Sequence, residues 1–148
     1  MEDINPEMYV MVRNGFNGTL VYKSARTGEK FIWSELGDEQ EMQLRELRSA
    51  KNNSKKFFEN NWFMFDEDWI IDYLGVRHFY KNAVSIEQFD ELLKKSPAAM
   101  KKAVASLSAG QKRSLAFRAI ELVKSGEIDS IKTINAIEDA FGIELIEK

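Results

Sequence analysis

Few side chains in this 148-residue chain could do acid–base chemistry near neutral pH. His78 is the single histidine, and histidine is the one side chain whose ordinary pKa lies close to neutrality. A histidine that acts as a catalytic base needs a nucleophile or a substrate group within hydrogen-bond reach. The flanking residues 76–80 offer an arginine and bulky aromatic rings instead. We therefore interpret His78 as a structural residue at a helix end, and we predict that the protein is not an enzyme.

The densest acidic group raises the question of a metal site. It comprises Asp66, Glu67, Asp68 and Asp72. A calcium loop needs a glycine at its sixth position and a glutamate at its twelfth, but counted from Asp66 those positions hold Ile71 and Arg77. The chain has no cysteine, and it has no glycine-rich loop of the GxxxxGK[S/T] or GxGxxG kind. We expect no bound metal and no cofactor.

The charge is unevenly distributed along the chain, although the formal net charge is only −3. Residues 1–93 hold 11 basic and 17 acidic residues, residues 94–118 hold seven basic residues and no acid, and residues 119–148 hold three basic and seven acidic residues. Such a basic block attracts phosphates or an acidic protein surface, although it is also typical of solvated helix faces. Its candidate contact residues are Lys94, Lys95, Lys101, Lys102, Lys112, Arg113 and Arg118.

The first third of the chain is predicted to form short β-strands. Runs rich in β-branched and aromatic residues lie near positions 8–13, 19–23 and 30–33. The asparagines and glycines of residues 14–18 predict a hairpin between the first two runs, with a loop of about four residues. Three consecutive strands would then form an antiparallel meander or small barrel. Phe16 lies in the predicted hairpin tip, and we expect it to be an exposed contact residue.

The next segment mixes strands and short helices. We predict a strand near 41–44, helices over 45–52 and 54–60, a strand over 62–65 and a helix that begins at Asp66 and ends at Gly75. Nine of the 17 aromatic residues fall between positions 57 and 80. This aromatic cluster predicts a buried joint between sheet and helices.

The last part of the chain predicts helices from capping signals. Serines at 85, 96, 108 and 130 precede apolar helical patterns, and glycines at 126 and 142 follow them. We therefore predict an α+β fold, with a β-rich unit over 1–80 packed on a bundle of four to five short helices over 81–148. No stretch approaches the ~18 apolar residues of a membrane span. The acidic start with Pro6 predicts no secretory signal.

Several segments together resemble small, poorly characterised proteins encoded among the structural genes of tailed bacteriophages. They are YKSARTGE (22–29) with Trp33, GDEQ (37–40), KFFENNW (56–62), LGV (74–76) with YKN (80–82), and SGEIDS (125–130). The resemblance implies a non-enzymatic virion component of the neck, head–tail connector or tail, made in the host bacterial cytoplasm. It also implies contacts with other virion proteins and with copies of itself in a homo-oligomeric ring. No catalytic residue is carried over.

Two other functions remain open at this point. The basic helices 94–118 could form a nucleic-acid-binding or regulatory module, since Lys112 and Arg113 fall in the first turn of a predicted helix, where backbone N–H groups favour phosphates. The acidic N-terminal unit could instead mimic nucleic acid and inhibit a host protein. We favour the virion component because of this resemblance, and complementary acidic and basic blocks on one chain are compatible with head-to-tail self-association.

Overall fold

The computed structural model describes residues 4–145 of the chain. It is a mixed α+β structure, 48% helical and 15% strand, in which N-terminal antiparallel strands precede a helical region. The predicted fold class is therefore confirmed. The chain divides into two compact units between Lys81 and Asn82, and each unit is described by itself.

Unit 1, which ends at Lys81, contains five short strands and four short helices within its described residues. The strands are β1 (Tyr9–Asn14), β2 (Leu20–Lys23), β3 (Lys30–Trp33), β4 (Glu39–Gln43) and β5 (Phe63–Met64). The helices are α1 (Leu44–Asn53), α2 (Lys56–Glu59), α3 (Asp68–Leu74) and α4 (Arg77–Tyr80).

The strands do not pair as a sequential meander. β1 is the central strand of a three-stranded antiparallel sheet with the order β4-β1-β5, and β2 pairs only with β3. The predicted hairpin between β1 and β2 is therefore wrong. The reason is the buried Asn14 side chain, whose Nδ2 donates hydrogen bonds to the carbonyls of Gly18 and Glu35. These bonds fold the loop after β1 onto a distant segment, so β1 is left to pair with β4 and β5.

The core of unit 1 is aromatic. The Phe63 ring is fully buried, and the centroids of four other rings lie within 5.6 Å of its own. These rings belong to Tyr22, Trp33, Phe57 and Phe58. The Trp33 indole also donates a hydrogen bond of 3.0 Å to the Val12 carbonyl of β1. Both sheets of unit 1 and helix α2 thus share one core.

Unit 2 is helical. A single 3-10 turn over Ile86–Gln88 leads into α5 (Phe89–Leu92), which is followed by α6 (Pro97–Ala105), α7 (Ala109–Lys124) and α8 (Ile131–Phe141). The Ser108 and Ser130 hydroxyls accept N-cap hydrogen bonds from Gln111 and Thr133, as their sequence positions predict. Ser85 makes no such side-chain bond, since the Gln88 N–H is bonded to the Ser85 carbonyl instead.

The core of unit 2 lies between its longer helices. Helix α6 packs against α8, and Met100 and Val104 on α6 are buried together with Ile134 and Ile137 on α8. Helix α7 buries Leu115, among other residues. None of the helices formed by residues 4–145 is both long enough and apolar enough to cross a lipid bilayer.

Candidate functional site

Most of the predicted basic contact residues are exposed on unit 2. Helix α6 buries Met100 and Val104, so the neighbouring Lys101 and Lys102 project from its solvent side. Lys112 and Arg113 are exposed in the first turn of α7. Lys94 and Lys95, just after α5, are exposed as well. We call these residues the six exposed cations: Lys94, Lys95, Lys101, Lys102, Lys112 and Arg113.

The six exposed cations form no ion pair with acidic neighbours among residues 4–145, since no carboxylate oxygen there lies within 4.0 Å of any of them. Lys94 is nevertheless close enough to Asp90 to contribute, after the hydrogen bonds from Arg118, to the lowered pKa of that carboxyl. The charge of the other five is available to a partner.

Arg118 does not belong to this set, although it was predicted as a contact residue. Its Nε and Nη2 atoms donate hydrogen bonds of 2.8 and 2.9 Å to the two carboxylate oxygens of Asp90, and its Nη1 donates one of 3.1 Å to Glu121. The hydrogen bonds from Arg118 hold the pKa of Asp90 below its usual range. Arg118 therefore ties α5 to α7. Its acidic partners lie just outside the 94–118 window, which is why a charge count over that window missed them.

Phe16 is also not the exposed hairpin tip that was predicted. Its side chain is half-buried, and its ring meets the Trp62 ring edge-on, with 6.2 Å between centroids. Its backbone N–H donates a hydrogen bond of 2.8 Å to the Asn14 side chain. Phe16 thus belongs to the packing of unit 1, because the loop that carries it is folded back by Asn14.

Two exposed apolar features were missed in the sequence. Phe117 on α7 is 39% exposed, and the Arg113 guanidinium carbon lies 6.0 Å from its ring centroid. On the hairpin of unit 1, Val21 and Ile32 are directly paired across strands and are 48% and 50% exposed. The sequence does contain a signal for each. Arg113 and Phe117 are spaced i, i+4 on a predicted helix, and Val21 and Ile32 each fall on the outer face of a predicted strand. Aromatic, arginine and apolar groups of this kind are typical anchors of protein interfaces.

His78 lies in α4 with an exposed side chain, and its ring centroid is 3.9 Å from that of Phe79. Residues 4–145 hold no group of three histidine or acidic residues placed to bind a metal ion.

No protein-family model, curated protein or solved structure matches this chain. Its function is therefore inferred from its own residues.

Proposed function

We propose that the protein is a non-enzymatic structural component of a tailed-phage virion, in the neck, head–tail connector or tail. It acts through contacts with other virion proteins and with copies of itself. The observation that most directly supports a docking role is the set of six exposed cations on unit 2, which lack carboxylate partners among residues 4–145. The placement in a virion rests on the resemblance of the sequence segments.

The charge of the rest of the chain suits contacts between identical copies. Unit 1, residues 1–81, holds 14 acidic and 11 basic residues and so carries a formal charge of −3, and its exposed acids include Glu41, Glu59 and Glu67. An acidic surface of one copy can therefore attract the six exposed cations of the next. Contacts between two different surfaces of identical subunits are heterologous, and they close into rings when the rotation permits.

The exposed aromatic and apolar side chains add binding affinity that charge alone does not supply. Complementary charges mainly steer association and select the partner, whereas buried aromatic and arginine side chains supply most of the affinity. The Arg113–Phe117 pair on α7 places such an anchor next to Lys112. Val21 and Ile32 form an exposed apolar pair on the hairpin of unit 1, beside the paired Lys23 and Lys30.

Reversing the exposed charges tests the docking role. The variant combines Lys101→Glu, Lys102→Glu, Lys112→Glu and Arg113→Glu, and we expect it to sediment as a monomer where the unmodified protein assembles. A control of equal charge change combines Lys55→Glu, Lys81→Glu, Lys124→Glu and Lys132→Glu, all at exposed positions outside the proposed contacts, and should still assemble. Assembly that survives the first variant would reject the proposal. Mass spectrometry of purified phage particles tests the virion location separately, and absence of the protein there would reject that part.

One observation favours a second candidate, a nucleic-acid-binding module. Lys112 and Arg113 are the fourth and fifth residues of the 16-residue helix α7, so two cations lie close to the backbone N–H groups of its N-terminus, an arrangement that suits a phosphate. Binding driven by phosphates weakens steeply as salt rises, because it releases condensed counterions. Filter binding of DNA at two salt concentrations distinguishes the candidates: a protein adaptor shows little binding at either, whereas a nucleic-acid module binds tightly at the lower one.

A further inference from the structure

A cavity in unit 1 lies between helices α1 and α3, away from the residues used above. Its volume is about 260 Å³, and Arg48, Lys51 and Asn52 of α1 line it together with Tyr73 and Leu74 of α3. The three α1 residues are spaced i, i+3 and i+4, so they share one face of the helix.

The cavity carries two cations without an acidic partner. The Arg48 guanidinium carbon lies 5.9 Å from the centroid of the Tyr73 ring. The half-buried Lys51 side chain lies against Gly75, where a Cβ atom would come within 3.1 Å of its Nζ. No carboxylate oxygen of the described residues lies within 4.0 Å of either cation. Like charges one turn apart repel, so this arrangement costs stability unless an anion joins them.

The nearest acids in the sequence are engaged elsewhere. Asp72 precedes Tyr73 on α3, but its carboxylate accepts hydrogen bonds of 3.0 and 2.9 Å from Arg77, which also binds Asp68. Both carboxylates are thus hydrogen-bonded to Arg77 and form no ion pair with Arg48 or Lys51.

We propose that this cavity binds the phosphate group of a small phosphate ester. The planar guanidinium of Arg48, the ammonium of Lys51 and the side-chain amide of Asn52 are all hydrogen-bond donors. A phosphate monoester presents three terminal oxygens to them, whereas a carboxylate presents two, so the donor set matches a tetrahedral oxyanion better. The cavity also leaves space beside the phosphate for the organic part of the ester, next to the Tyr73 ring.

The ligand is a small molecule and not a nucleic-acid strand. Nucleic acids are held by a row of cations that follows successive phosphates. Here only two cations, the exposed Arg48 and the half-buried Lys51, line the solvent-open cavity, so the site addresses a single phosphate group.

Calorimetric and NMR titrations test the site with inorganic phosphate, adenosine monophosphate and adenosine as probes. We expect the first two to bind and adenosine not to bind, with chemical-shift changes at the Asn52 and Gly75 amides. Arg48→Gln and Lys51→Gln should each weaken binding about ten- to a hundredfold, since each removes a charge-assisted hydrogen bond. Lys55→Gln, which removes an exposed cation just after α1, should leave binding unchanged.

Four results would overturn the proposal. The first is no saturable binding of phosphate or adenosine monophosphate up to about 10 mM. The second is binding that survives both Arg48→Gln and Lys51→Gln, and the third is a DNA oligonucleotide that binds more tightly than adenosine monophosphate through the same two residues. The fourth is that Lys51 only stabilises the C-terminal end of α3. In that case Lys51→Gln would lower the melting temperature, the unmodified protein would bind no phosphate, and the site would be rejected.

Discussion

Each unit of this protein contains a buried polar side chain that bridges segments distant in the sequence, a carboxylate in the unit 1 bridge and a neutral amide in the unit 2 bridge. In unit 1, the carboxylate of Glu46 is 4% exposed and accepts hydrogen bonds from the Tyr22 hydroxyl at 2.7 Å, the Ser24 hydroxyl at 2.8 Å and the Arg26 guanidinium at 3.4 Å. In unit 2, the Gln111 side-chain amide is fully buried. It donates a hydrogen bond of 2.7 Å to the Val84 carbonyl and accepts one of 2.9 Å from the backbone N–H of Val84.

The difference lies in how much each bridge depends on its full set of partners. Both sets of hydrogen bonds join segments more than 19 residues apart in the sequence. They therefore fix contacts that local secondary structure does not specify. A buried carboxylate loses its hydration and needs every donor, whereas a neutral amide loses less when one bond breaks. Burial, followed by the hydrogen bond to Glu46, raises the pKa of the Tyr22 hydroxyl, so the hydroxyl remains a donor at alkaline pH as well. The Glu46 bridge is therefore expected to be more sensitive to the loss of one partner than the Gln111 bridge.

The largest effect is expected from Tyr22→Phe. This variant keeps the ring but removes one donor to the buried carboxylate, and we expect it to lower the free energy of unfolding by about 1.5–3 kcal/mol. All three tryptophans lie in unit 1, so tryptophan fluorescence during urea unfolding reports on this unit. Tyr9→Phe is the control, because Tyr9 is 62% exposed. Equal stabilities for the two variants would remove the proposed contrast.

A smaller effect is expected from Gln111→Leu in unit 2. The variant keeps most of the side-chain volume and removes both hydrogen bonds to Val84, and we expect a loss of about 1–2 kcal/mol. Urea unfolding followed by circular dichroism measures it, and hydrogen exchange of the Val84 amide should become faster. Gln88→Leu serves as an exposed control. A loss greater than that of Tyr22→Phe would reverse the comparison between the units.

The smallest effect concerns two arginine–carboxylate bridges at acidic pH. Hydrogen bonds from Arg118 and Arg77 lower the pKa of Asp90 and Asp72, respectively. A carboxylate whose folded pKa is lowered adds stability above its unfolded value of about 3.9, and this stability is lost as the pH falls through the folded pKa.

Asp90→Asn should therefore make the free energy of unfolding fall less steeply as the pH drops below about 4. The difference should be no more than about 1 kcal/mol, because the Asp90 side chain is 40% exposed. Asp72→Asn should change it less, since the Asp72 side chain is 66% exposed. Urea titrations at neutral and acidic pH measure both. A larger change for Asp72→Asn would contradict this ranking of the bridges.

The helices were predictable because their signals are local. Ser108 and Ser130 accept the N-cap bonds that their positions predict, and Gly75 and Gly142 end helices in the left-handed conformation. Each of these interactions spans no more than a few residues. The positions of the strands were also close to those predicted, since alternation along a strand is a local pattern as well.

The strand pairing and part of the contact surface were not predictable in this way. The Asn14 side chain reaches Glu35, 21 residues away, and this contact decides against the hairpin that residues 14–18 suggested. Arg118 likewise finds Asp90 across 28 residues. The cavity at Arg48 and Lys51 joins residues of two helices that are separated by a strand and another helix.

By itself, the amino-acid sequence determined the α+β class, the order of strands and helices and the excess of basic residues over 94–118. Capping, alternation and composition act within one or two turns of chain, so they can be read without coordinates. Only the tertiary structure decided which strands pair, which cations keep their charge for a partner and which side chains become buried. Those outcomes depend on contacts between residues far apart in the chain. Several short strands have the same alternating pattern and many charged residues could pair with one another, so local patterns do not select among them.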